Sequence, residues 1–194
     1  MTNSTTQAPR ILYLHGFASA PQSFKAMALQ AHMGRLGLAD RLDCPALPFA
    51  PRAAIQVAAN LVRPGTTLVG SSLGGFYATW LAEKYHLQAV LVNPAVVSRL
   101  SLDKFAGKQK NFYTGEEFEF TAEHGEQLRA LDVPVPSRPE RYWLLAETGD
   151  EVLDYRHAVS HYAAARQTIL PGGDHSFTRW TDYLDEILRF AGLV

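Results

Sequence analysis

Short, unbroken apolar runs punctuate the chain: Ile11-Leu12-Tyr13-Leu14, Thr67-Leu68-Val69, Ala89-Val90-Leu91-Val92 and Tyr142-Trp143-Leu144-Leu145. Such runs, with no polar residue at alternate positions, mark strands buried on both faces, as in parallel sheets. Asp40 to Cys44, closed by Pro45 and Pro48, and Thr168-Ile169-Leu170 predict two weaker strands. Between the strands the pattern turns helical. Helices are predicted over Phe24 to Leu36, between a candidate cap at Ser23 and a stop at Gly37, and over Arg52 to Val62 and Leu73 to Tyr85. Two more are predicted over roughly Asp154 to Arg166 and Arg179 to Phe190. Strands that alternate with helices imply crossover units and right-handed connections. The expected architecture is an α/β sheet of about six parallel strands in the order 2-1-3-4-5-6, with helices on both faces.

The alternation breaks over residues 98–140. Roughly 43 residues separate two strands here, whereas a crossover with its helix needs about 10 to 30. The segment carries Phe105, Phe112, Tyr113, Phe118 and Phe120 among glycines and charges, then a predicted short helix from Ala122 to Leu131, and ends in Val133-Pro134-Val135-Pro136. Loops of this length in compact domains are usually functional. A small lid or cap over the strand ends is expected; the alternative is an excursion that only covers the sheet edge.

With 194 residues and 47% apolar content, the chain can form a single domain with a sizeable core. A net charge of -1 supplies no basic field for nucleic acid. The single cysteine, Cys44, excludes an intrachain disulfide and reads as a small core residue at a strand end. Residues 1–10 are polar and read as a loose tail, and no apolar run approaches the ~20 residues that span a bilayer. These features lead us to expect a cytoplasmic protein without a membrane partner, acting on a small molecule.

Candidate chemistry centres on Gly70-Ser71-Ser72-Leu73-Gly74-Gly75. A strand that runs through Gly-x-Ser-x-Gly into a helix is the context of a nucleophile elbow, in which a strained turn projects the middle serine. The bare pattern occurs by chance in roughly one chain in twenty of this length, so its partners must carry the argument. A serine hydroxyl needs a base, and the base needs a group that fixes its tautomer. In elbow folds these follow in the order serine, acid, histidine. Asp150 lies just past the Tyr142 strand, and His175 lies on the glycine-rich loop after the last strand. Ser71 is a competitor for the nucleophile, and Asp154 and Glu147 compete for the acid. Two backbone N–H groups, of Leu73 and of Phe17 in the loop after the first strand, are the expected oxyanion donors.

Five motifs together resemble the YqiA-like family of small bacterial α/β-hydrolase esterases. They are His15-Gly16-Phe17, Gly70 to Gly75, Val92-Asn93-Pro94-Ala95, Thr148 to Tyr155 and Gly172-Gly173-Asp174-His175. The resemblance runs from about Ile11 to Leu193. It implies a compact α/β-hydrolase fold and esterase activity on short acyl esters or thioesters. Where that family carries asparagine before its terminal histidine, this chain has Asp174.

Other histidines add little. His15 either shapes the oxyanion loop or is a satisfied buried histidine. His157 and His161 have a zinc-compatible spacing, but Ala158 stands where the metalloprotease pattern has glutamate, and no third ligand suggests itself. Glycine pairs form no phosphate loop. The reading is therefore a serine esterase needing no cofactor and no metal. An acyl-thioesterase, or a non-catalytic binding protein on the same fold, are the alternatives.

Overall fold

The computed structural model describes residues 8–194. Residues 1–7 of the expected tail lie outside the described residues, and Arg10 already belongs to the first strand. In chain order the elements are β1 (Arg10–Leu14), α1 (Phe24–Arg35), β2 (Leu42–Asp43), α2 (Pro51–Leu61), β3 (Thr66–Ser71), α3 (Leu73–Tyr85) and β4 (Gln88–Val92). There follow β5 (Gly107–Lys110), β6 (Glu117–Phe120), α4 (Ala122–Arg129), β7 (Tyr142–Glu147), α5 (Tyr155–His161), β8 (Arg166–Leu170) and α6 (Leu184–Phe190). The main sheet runs β2-β1-β3-β4-β7-β8, every neighbouring pair parallel. Counting only its own strands, that order is 2-1-3-4-5-6.

Why the apolar runs lack alternation is visible in the two cores. Leu12 and Leu14 of β1, Leu68 of β3, Ala89 and Leu91 of β4 and Leu144 of β7 face one side, where they meet Ala54 of α2, Phe76 and Leu81 of α3 and Ala158 of α5. Their neighbours Ile11, Tyr13, Val69, Val90, Val92, Trp143 and Leu145 face the other, against Leu29 and Met33 of α1 and Ile187 and Leu188 of α6. Each fully buried aliphatic side chain stabilises the sheet by about 1.5–3 kcal/mol. Register brings the strand ends together: Leu14 lies opposite Gly70, Ser71 opposite Val92, and Glu147 opposite Leu170. Five carboxyl ends therefore open on one edge, where ligands bind in open α/β sheets.

Several boundaries differ from expectation. β2 is only two residues long, because a 3-10 turn over Ala39–Arg41 occupies its predicted start. Helix α5 ends at His161 although three alanines follow, since Arg166 must pair with Trp143 in β8; its guanidinium also lies 3.9 Å from that ring's centroid. The last helix begins as a 3-10 turn over Trp180–Tyr183.

The largest addition is inside residues 98–140, where β5 and β6 form an antiparallel hairpin. Its period-two pattern buries Phe118 and Phe120 and turns Lys108, Lys110, Glu117 and Glu119 outward. Lys108 sits opposite Glu119 and Lys110 opposite Glu117, pairs that favour this register.

Candidate active site

Ser72 stands between the last residue of β3 and the first of α3 with φ 55° and ψ -121°. A non-glycine residue at positive φ is strained by about 1–3 kcal/mol and persists only where its surroundings over-determine it. They do so here. Ser72 N–H donates to Val92 O at 3.0 Å, and Ser72 O accepts from Ala95 N at 3.1 Å and Gly75 N at 2.9 Å. The flanking glycines are a matter of space: a Cβ on Gly70 would lie 2.3 Å from Gly74 O, and one on Gly74 would lie 2.0 Å from Leu14 O. Neither position admits a side chain. Ser71 is buried as the end of β3.

Ser72 Oγ lies 3.0 Å from His175 Nε2, and His175 Nδ1 lies 2.8 Å from Asp150 Oδ2. The Asp150 side chain is 1% exposed, that of His175 21%. The second Asp150 oxygen accepts from Val152 N at 2.9 Å and Leu153 N at 2.8 Å, so the carboxylate keeps acceptor partners although withdrawn from water. The two rival acids are elsewhere. Asp154 caps α5, accepting from Arg156 N at 3.0 Å and pairing with its guanidinium, which holds its carboxyl down at about 2. Glu147 points away from the imidazole into the histidine loop.

That loop is gripped from the ends of two strands. Glu147, fully buried at the end of β7, accepts from Asp174 N, Thr178 N and Thr178 Oγ1, each at 3.0 Å. Gly173 runs through this grip at φ 71°, and a Cβ there would lie 1.9 Å from the Glu147 carboxylate. From the end of β4, Asn93 Nδ2 donates to Asp174 O at 3.0 Å and His175 O at 3.1 Å, while its Oδ1 accepts from Glu147 N at 2.9 Å. Asn93 does this at φ 40°, a region that asparagine tolerates better than most residues. His175 N–H is held in turn by Glu151 Oε2 at 3.0 Å. Asp174 accepts from Ser176 N at 2.8 Å and from its hydroxyl, bonds that lower its carboxyl pKa and turn it from the imidazole. Sequence reasoning missed the roles of Asn93 and Glu147. Their only signal was place, each at the carboxyl end of a strand.

Leu73 and Phe17 line the same chamber as Ser72 and His175. Leu73 is the first residue of α3, so its N–H has no acceptor within the helix. Among the described residues neither it nor the Phe17 N–H donates to a protein acceptor. His15 shapes the second loop: its Nε2 accepts from Leu47 N at 3.0 Å and its Nδ1 lies 3.0 Å from Gly16 O, which makes Nδ1 the protonated atom. Burial lowers its pKa, in keeping with that neutral ring. The Phe17 side chain meets Phe105, Phe118 and Phe120 edge-on at 6.0, 5.6 and 5.4 Å.

An apolar chamber of about 300 Å³ opens from Ser72 and His175 beneath residues of the insertion. Among the described residues no three His, Cys, Asp or Glu side chains group as a metal site, and no helix is long and apolar enough to cross a membrane.

The model of an uncharacterised protein family, UPF0227, matches residues 10–192. The chain belongs to that family. This is the YqiA-like family that the sequence resembles. Solved structures agree on the fold. A presumptive hydrolase from Agrobacterium vitis S4 superposes with a TM-score of 0.74 at 20% identity, over 98% of this chain and 90% of that one. Alpha/beta hydrolase domain-containing protein 10 from mouse gives 0.70 at 14%, over 95% and 91%. Est1E from Butyrivibrio proteoclasticus gives 0.66 at 14%, over 99% and 91%, and that enzyme has also been solved with ferulic acid bound. This UPF0227 member has the α/β-hydrolase fold.

Proposed function

We propose that this protein is a serine hydrolase of small carboxylic esters, with Ser72 as nucleophile, His175 as general base and acid, and Asp150 as the group that orients the imidazole. The observation that carries the reading is the unbroken relay of 3.0 and 2.8 Å from Ser72 through His175 to Asp150, at the mouth of an apolar chamber. Solved structures of the same fold described as esterases, among them the esterase domain of a Rhodothermus marinus protein, support the reaction class.

In this mechanism Ser72 Oγ attacks the acyl carbonyl while His175 Nε2 takes its proton. The oxyanion that forms is held by the N–H groups of Leu73 and Phe17, each contributing about 2.7–4 kcal/mol to the transition state. Collapse expels the alcohol, which takes the proton back from His175, and leaves an acyl-Ser72 ester. A water then gives one proton to His175 and attacks that ester; as the acyl–oxygen bond breaks, His175 returns the proton to Ser72 Oγ, and the acid is released. Asp150 stays ionised and stabilises the imidazolium. Residues 98–140 serve as a cap in this reading, since several of them roof the chamber. A thioester would pass through the same steps with a thiol leaving.

A fluorophosphonate probe tests the assignment. Stoichiometric labelling of wild type, abolished in Ser72→Ala, is expected, together with a loss of ester hydrolysis of roughly 10⁴-fold or more in Ser72→Ala and in His175→Ala. Correctly folded wild type that takes no label would overturn it.

A further inference from the structure

The chamber beside Ser72 differs along its length. At one end stand the polar groups of Ser72 and His175; beyond them the insertion supplies Leu100, Leu102, Phe105, Phe120 and Leu128. Gln109 is the other polar side chain in the lining, and its amide already donates to Phe105 O at 2.9 Å. A ligand hydroxyl or carboxylate placed along this wall away from Gln109 would find no side-chain partner there, and an unpaired buried polar group is costly. An alkyl chain meets no such penalty.

Size narrows the class further. A water takes roughly 30 Å³ of liquid, and a methylene is of similar size, so about 300 Å³ holds about ten such groups. Phe112 and Val152, which also line the chamber, are 83% and 55% exposed, so the chamber opens to solvent beside them. Enclosure on one side and openness on the other mean that discrimination falls on the acyl half of the substrate.

Resting on the serine-hydrolase reading above, we infer that the substrates are esters or thioesters of unbranched aliphatic acids of about six to ten carbons, and that Leu102 and Leu128 gauge the chain length. Leu128 is 3% and Leu102 6% exposed, both fixed in the insertion's own packing, where a larger side chain intrudes on the chamber and a smaller one enlarges it. Hydroxylated aromatic acids of the kind bound to Est1E find no side-chain partner for their phenol along this wall other than the Gln109 amide. The two proteins are expected to part at this point.

The test is a series of nitrophenyl esters from acetate to dodecanoate, with a hydroxycinnamate ester alongside, on full-length protein titrated with the fluorophosphonate probe. Each added methylene contributes about fourfold to kcat/KM while it is buried, so a rise to about C8 and a plateau or fall beyond C10 are expected. The hydroxycinnamate ester should be at least 100-fold slower than the octanoate. Leu128→Trp should lower the octanoate-to-acetate ratio at least tenfold, and Leu128→Ala should move the optimum to longer chains, so that one variant decides if the other fails to fold. A flat profile, or a preference for the aromatic ester, in protein that takes the probe overturns this inference and leaves the hydrolase reading standing. Absence of both labelling and hydrolysis overturns the two together.

Discussion

Residues 171–179 reach Ser72 on hydrogen bonds, whereas residues 98–140 reach the same chamber on hydrophobic side chains. Around His175 nearly every constraint is directional: a buried carboxylate, the Asn93 amide and the Glu151 carboxylate hold backbone atoms at about 3 Å. Around the insertion the contacts are aromatic. Phe118 stacks on Phe49 at 4.6 Å and meets Phe17 edge-on, and among the described residues only the Phe112 N–H and Asn111 Nδ2, bonded to Ala18 O and Ser19 O, tie the hairpin's tip to the loop after β1 by hydrogen bonds. Hydrogen bonds weaken steeply when bent, whereas apolar burial has no preferred direction. The difference suits the proposed division of labour. An imidazole that must meet a hydroxyl requires fixed geometry, and a wall that receives chains of several lengths requires tolerance.

The sharpest way to break the contrast is Glu147→Ala. It would leave the N–H groups of Asp174 and Thr178 and the Thr178 hydroxyl without their acceptor inside the protein, at a cost of about 3–5 kcal/mol. Urea unfolding should show that loss, and probe labelling should slow at temperatures where the variant is still folded. Glu147→Gln keeps one amide oxygen as acceptor and should lose less. An alanine variant within about 1 kcal/mol of wild type would show the grip to be dispensable. Phe118→Ala on the other side should cost about 1–3 kcal/mol, less than full core truncation because the insertion can settle into the gap. Its kinetic mark should be a KM raised several-fold for long acyl chains, with a smaller change in kcat. A kcat loss matching that of Glu147→Ala would erase the distinction between the two regions.

How much of this was legible beforehand divides along the same line. The sheet was readable because β1, β3, β4 and β7 are buried on both faces, so that polar residues other than threonine stand only at their ends, as Arg10, Ser71, Gln88 and Glu147. The elbow was readable because Gly70 and Gly74 have backbone atoms where a side chain would go. The hairpin was not assigned, although Glu117-Phe118-Glu119-Phe120 alternates and Gly115 turns at φ 74°, because the strands are four residues long and pair only with each other. Glu147 was read as a rival acid since it sits near the right strand end; its orientation depends on Gly173 and Thr178, which pattern alone does not bring beside it. Local rules carried the scaffold, and long-range polar contacts carried the site.

The smallest expected effect concerns Lys25, which extends the polar side of the comparison to α1. Its Nζ donates to Ser176 O at 2.6 Å, and burial lowers its pKa to about 8, a shift moderated by the carboxylates of Asp174, Asp150 and Glu147. In the unfolded chain the amine titrates near its ordinary 10.5. Between about 8 and 10.5 the unfolded state therefore binds more protons, and this group makes stability rise with pH across that window. Below 8 both states are charged and its contribution is constant. Cys44, whose thiol burial raises to about 11, acts in the opposite sense from 9 upward, so wild type alone will not isolate the lysine. The difference between Lys25→Met and wild type does. Methionine should stabilise by about 1 kcal/mol at pH 7, roughly 2–4 °C in Tm, and that advantage should shrink steadily from pH 8 to 10.5. A difference that stays level over that range would mean that Lys25 titrates in the folded protein as it does in the unfolded chain, and that the polar clamp ends at the histidine loop.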